Sequence, residues 1–138
     1  MTNETNNDFE EIKNTLIKRR YHQKLLLNIA CHDNPDELLF FQQIISYDLD
    51  EKQVKSLLNV LLYLQDNKYP SEGIINELKE FDIVINEPYL TTEIDMLEFL
   101  NNSMKKLKVD IPLKYLLISL ERQSILTEIS KKLLNAMK

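Results

Sequence analysis

The chain has 138 residues, and nucleophilic or metal chemistry could draw on only two histidines, His22 and His32, and one cysteine, Cys31. On a single helix His22 and His32 would lie about 80° apart around the axis and about 15 Å apart along it, too far to share an ion. The densest set of donors is Cys31-His32-Asp33 with Asp36. Consecutive helical side chains point in different directions, so only a loop there could close around one ion. No third partner is visible to complete a nucleophile, base and orienting group. The set reads as a helix C-terminus, with Cys31 packed as a small hydrophobe and His32 beside the last carbonyls. No catalytic residue, metal or cofactor is expected.

Acidic and basic side chains offer two further possibilities. Residues 66–98 carry nine acids against two lysines, Lys68 and Lys79. Glu77, Glu80 and Glu87 could supply a carboxylate pair, but a raised-pKa acid needs an apolar cleft that the sequence does not indicate. The run reads as a solvated surface, with a docking face for a basic partner as the functional alternative. Basic residues gather at Lys18, Arg19, Arg20 and Lys24, and again at Lys105, Lys106, Lys108, Lys114, Lys131 and Lys132. Such groups could hold phosphate, yet the net charge of -5 disfavours general nucleic-acid binding. The single glycine excludes a P-loop, a dinucleotide fingerprint and a nucleophile elbow. The lone cysteine excludes a disulfide framework and a paired-cysteine zinc site.

The elements that would position these groups are helical. Residues 1–7 are polar and are expected as a frayed tail, followed by one domain over 8–138. With Asp8 as N-cap, Phe9, Ile12 and Leu16 recur at helical spacing and pass into Ile17, Tyr21, Leu25 and Ile29, which predicts one long helix from Phe9 to Cys31. Asn34-Pro35 opens a second helix ending near Ser46, with Leu38, Phe41 and Ile45 on one face. Adjacent Phe40 and Phe41 require two packing surfaces there. Asp50 with Gln53 reads as a capping box for a third helix bearing Val54, Leu57, Leu58, Leu61, Leu62 and Gln65. A short helix over residues 71–81 follows, with Ile74, Ile75 and Leu78.

Ile83-Val84-Ile85 is expected as a loop or edge segment, ended by Pro88. Thr91 or Thr92 caps a fifth helix with Ile94, Leu97, Leu100, Met104 and Leu107. Asp110 caps a sixth, with Pro112 in its first turn and Leu113, Leu116, Leu117 and Leu120 inward. After a break at Gln123-Ser124, Ile125, Ile129, Leu133 and Met137 form the last stripe. Tyr21, Tyr63 and Tyr115 lie on or near apolar stripes and are expected in the core with hydroxyls at its rim. The reading is all-α, a bundle-like or orthogonal array of six to seven helices with short connections.

The segment from Asp36 to Leu62, with its Tyr47-Asp48-Leu49 turn and Glu51-x-Gln53-Val54 start, resembles the YhaI-like family of small uncharacterised proteins of bacilli. So does Lys106-Leu107-Lys108-Val109-Asp110 followed by Leu117, Leu126, Leu134 and Met137. The likeness covers about two-thirds of the chain and breaks around residues 69–90. It implies an all-helical cytoplasmic bacterial protein and carries over no functional residue. The residues themselves point the same way on location. There is no basic-then-apolar leader, and the longest apolar runs, Leu38 to Phe41 and Val60 to Leu64, fall far short of the ~20 residues that cross a bilayer.

The first helix carries more apolar side chains than one small core covers. Phe9, Ile12, Leu16, Tyr21, Leu25 and Leu26 are therefore the candidate interface, and self-association through this helix is the expected behaviour. The function expected is non-enzymatic protein-protein interaction or regulation. The alternative is a nucleic-acid-associated regulator acting through Lys18, Arg19, Arg20, Lys24 and the basic C-terminal helices.

Overall fold

A computed structural model describes residues 2–66, 68–85 and 92–137, with side chains from Asn7 onward. Among these residues there are seven α-helices, one 3-10 turn and no strand. They are α1 (Thr2–Cys31), the 3-10 turn Pro35–Leu38, α2 (Leu39–Ser46), α3 (Glu51–Asp66), α4 (Glu72–Lys79), α5 (Glu93–Lys106), α6 (Leu113–Arg122) and α7 (Thr127–Ala136). The expected all-helical class and long first helix are present. The expectations at Glu87, Pro88 and Thr91 lie outside the described residues.

Helices α2 to α7 share one core. Leu57 and Leu61 of α3, Leu100 of α5, Leu116, Leu117 and Leu120 of α6, and Leu133 of α7 are completely buried, joined by Phe40 and Ile44 of α2. Helix α6 packs on α2 and α7, and α3 packs on α4, α5 and α7. Four buried serines, Ser56, Ser103, Ser119 and Ser130, take up little volume in this otherwise aliphatic interior. Ser119 Oγ donates to Gln43 Oε1 at 2.6 Å, tying α6 to α2.

Four helices end in the same way, without glycine. In each, a residue with positive φ follows the last turn, at Asp48 (55°), Asp82 (60°), Lys108 (59°) and Ser124 (59°). The next amide reaches back across the turn: Leu49 to Ile44 O, Ile83 to Leu78 O, Val109 to Met104 O and Ile125 to Leu120 O. The inner amides of Asp48, Asp82, Lys108 and Ser124 close on Ile45, Lys79, Lys105 and Glu121 carbonyls. This paired 6→1 and 5→2 bonding is the Schellman motif, which satisfies the orphan carbonyls of a helix end. An apolar residue follows each αL position, and Leu49, Ile83 and Val109 are buried. The chain thus turns each corner by driving one aliphatic side chain back into the core.

Helix starts agree in part with expectation. Asp50 and Gln53 form the capping box: Gln53 N donates to Asp50 Oδ1 at 2.8 Å and Asp50 N donates to Gln53 Oε1 at 2.9 Å. Ser71 and Thr92 cap α4 and α5 through their hydroxyls. Asp8 is not a cap, because α1 begins at Thr2 and includes residues expected as a tail. Asn34 accepts no amide on its side chain; its carbonyl receives Glu37 N at 3.0 Å, and the first turn is 3-10. Pro112, not Asp110, occupies the N-cap position of α6.

Inward faces shift by a residue or two at several places. Helix α2 buries Phe40 and Ile44, while Phe41 and Ile45 pack half-buried beside them. Leu62, Ile94, Tyr115 and Met137 point outward instead of inward. In each case a neighbouring residue satisfies the same periodicity with better access to the core: Leu61 and Leu64 on α3, Met96 on α5, Leu116 on α6 and Leu133 on α7. Ile83 and Ile85 plug the core with Val84 exposed between them, as an extended loop.

Candidate functional site

Helix α1 has 30 residues and is about 45 Å long, and it packs chiefly on α2 and the 3-10 turn. Only its second half lies on the body. At about 100° per residue, Lys18, His22, Leu25 and Ile29 share one side of the helix. Lys18 Nζ donates to Asp48 Oδ2 at 2.9 Å. His22 Nε2 lies 2.7 Å from Leu49 O, and because a carbonyl can only accept, that nitrogen carries the proton. Leu25 is 6% exposed within the core cluster, and Tyr21 packs half-buried against it.

The electrostatics of this joint follow from its geometry. The Lys18 ammonium hydrogen-bonded to Asp48 holds that carboxyl below its ordinary range. Burial, reinforced by Glu51 and Asp50 nearby, pushes the Tyr21 hydroxyl up to about 12. The αL turn that ends α2 therefore has a second use. It presents Asp48 and the Leu49 carbonyl to α1.

Phe9, Ile12, Leu16 and Leu27 are 74%, 61%, 61% and 65% exposed. They share a second side of α1, centred about 150° around the axis from the docked side. Leu26 and Ile17, both about half exposed, flank it. The three leucines Leu25-Leu26-Leu27 thus point in three directions, one into the body and two away from it. Every described residue from 7 to 17 is exposed, so this half of the helix projects past the body.

Of the six interface residues expected from sequence, Phe9, Ile12, Leu16 and Leu26 are exposed. Tyr21 and Leu25 belong to the intramolecular joint and leave the set. Leu27 and Ile17 join it. The signal for Leu27 was its spacing from Leu16 and Phe9, masked by the adjacent leucines. The basic patch divides: Lys18 is held by Asp48, Arg19 is exposed on another side of α1, and Arg20 and Lys24, four positions apart, are exposed on a common side.

Cys31 is exposed rather than packed. His32 Nδ1 accepts from the Asn34 amide at 3.1 Å, and its Nε2 lies 3.8 Å from Glu37, so the ring braces the turn after α1. Among the described residues no group of three or more His, Cys, Asp or Glu side chains could hold a metal. Glu77 pairs with Lys55 at 3.3 Å on the surface, beside Glu80. The open groove between α6 and α7, about 440 Å³, sets Lys114, Glu121 and Lys131 around Ile118, Leu134 and Met137. No described helix is long and apolar enough to cross a membrane. Comparison with protein-family models, curated proteins and solved structures finds no match to this chain.

Proposed function

We propose that this is a non-enzymatic interaction protein that assembles with further copies of itself through the outward side of α1. One observation carries the reading. Phe9, Ile12, Leu16 and Leu27 lie on the side of the helix opposite its own body and stay exposed among the described residues. Leu26 and Ile17, about half exposed, lie on its two flanks, and the stripe is a contiguous apolar surface of the kind that marks association. A lone surface leucine would need no explanation; a stripe of this size does. The docked side, through Lys18, His22 and Leu25, holds the helix rigidly enough to present the stripe.

The test is light scattering over a range of concentrations. The expected mass is a multiple of the 16.4 kDa chain at tens of micromolar. Leu16→Glu should return the protein to the chain mass with its helical circular dichroism intact. A wild-type chain that stays at 16.4 kDa throughout that range overturns the proposal.

A further inference from the structure

The exposed half of α1 carries an ordered charge pattern as well as an apolar stripe. Its first turns hold Asp8, Glu10 and Glu11, and its middle holds Lys18, Arg19 and Arg20. A parallel pair of such helices in register would set acids against acids and bases against bases. An antiparallel pair sets each acidic turn against a basic one.

The residue spacing makes the second arrangement specific. Asp8 and Arg19, eleven positions apart, lie within about 20° of each other around the axis, on one flank of the stripe. Phe9 and Arg20 have the same spacing and lie close to the stripe itself. A two-fold axis perpendicular to an antiparallel pair maps each flank onto the same flank of the other helix. With Ile12 opposite Leu16 of the second copy, Asp8 therefore meets the second copy's Arg19, and Phe9 meets its Arg20 guanidinium, where ring and cation attract. Each contact occurs twice. Asp8, Arg19 and Arg20 are all exposed, and the one interaction described for them is the Arg19 charge acting at longer range on Asp48.

We infer that the second copy binds α1 antiparallel about a two-fold axis level with Asn14, with Asp8 and Arg19 exchanged between the chains. This rests on the self-association reading and adds its geometry. Each body docks on its own helix about 150° around the axis from the stripe, on the side away from the second copy.

The native cysteine provides the measurement. Cys31 is the only cysteine in the sequence and is exposed, so a spin label can be attached without mutation. It lies about 25 Å along the axis from Asn14, so two labels in the antiparallel pair stand about 50 Å apart, against roughly 10–20 Å in a parallel one. Double electron-electron resonance should report the long distance. At low ionic strength, Asp8→Arg and Arg19→Asp should each weaken dimerisation about tenfold, and the double reversal should restore it. In a parallel pair the single reversals leave like charges facing as before and change little. A dimer with the short distance, indifferent to the single reversals, overturns the antiparallel arrangement but leaves self-association standing. A monomer at every concentration overturns both.

Discussion

At the residue scale, the corners of this molecule are made from side chains that dislike them. An L-residue in the left-handed region costs about 1–2 kcal/mol relative to right-handed backbone, and glycine removes that cost. With Gly73 its only glycine, the chain places Asp48, Asp82, Lys108 and Ser124 at αL positions. Ser124 is exposed, so Ser124→Gly should stabilise the fold by about 0.5–1 kcal/mol after the added freedom of the unfolded chain is counted. Thermal unfolding should shift upward by a few degrees; a decrease would mean the serine has a role that its geometry does not reveal. Asp48 differs from the other three, because Asp48→Gly also removes the acceptor for Lys18.

Tyr21 provides a pH signature for the α1 joint. Its folded hydroxyl titrates near 12, against 10.0 for an unperturbed phenol. Between those values the unfolded chain loses its proton first, so this residue lowers stability as pH rises from about 10 to about 12 and has no effect below. Tyrosinate absorbance should show one hydroxyl ionising late. Tyr21→Phe should flatten part of the alkaline fall in stability.

At the scale of elements, α1 is a helix with two opposite apolar sides. Sequence periodicity alone merges them, because Phe9, Ile12 and Leu16 run on into Ile17, Tyr21 and Leu25 without a break. The body separates them by accepting one side. Leu25→Glu buries an unpaired charge at the joint and should cost about 3 kcal/mol or more in urea unfolding. Leu26→Glu, one position on and half exposed, should stay within about 0.5 kcal/mol of the wild-type monomer. Equal losses from the two changes would contradict the assigned rotation of α1. The α2–α3 corner is the other decisive element. Gln53 completes the capping box and also donates through Nε2 to Leu107 O at 2.8 Å, linking α3 to the end of α5. Gln53→Ala should cost about 1–2 kcal/mol by removing both.

At the scale of the whole molecule, charge is separated without forming a reactive cleft. The described acids of the 66–98 region lie on the surface, and those with partners, such as Glu77, pair singly. Of the basic patch on α1, Lys18 is paired with Asp48 and Arg19 lies about 100° around the axis from Arg20, so Arg20 and Lys24 alone share a side, a small footprint for tracking phosphates. A gel shift titrated with salt should show no binding to mixed duplex or RNA at physiological ionic strength, and sequence-selective retention there would favour the nucleic-acid alternative. If α1 joins two chains, the midpoint of thermal unfolding should rise with protein concentration, since association stabilises only the folded form.

The sequence by itself determined the helices, two of their caps and the overall class, because these depend on neighbours three to five residues apart. The Asp50–Gln53 box, the Thr92 cap and the breaks at Tyr47-Asp48 and Gln123-Ser124 are all of that kind. Tertiary structure decided which side of each helix faces inward, and this is a long-range matter. Met96 displaced Ile94, Phe40 and Ile44 took the inward place expected of Phe41 and Ile45, and Tyr21 and Leu25 went to the body while Leu27 faced away. A period of 3.6 residues tells how apolar side chains recur around an axis. Only the neighbouring helices set the angle at which that axis is turned, and that angle exposes the stripe on α1.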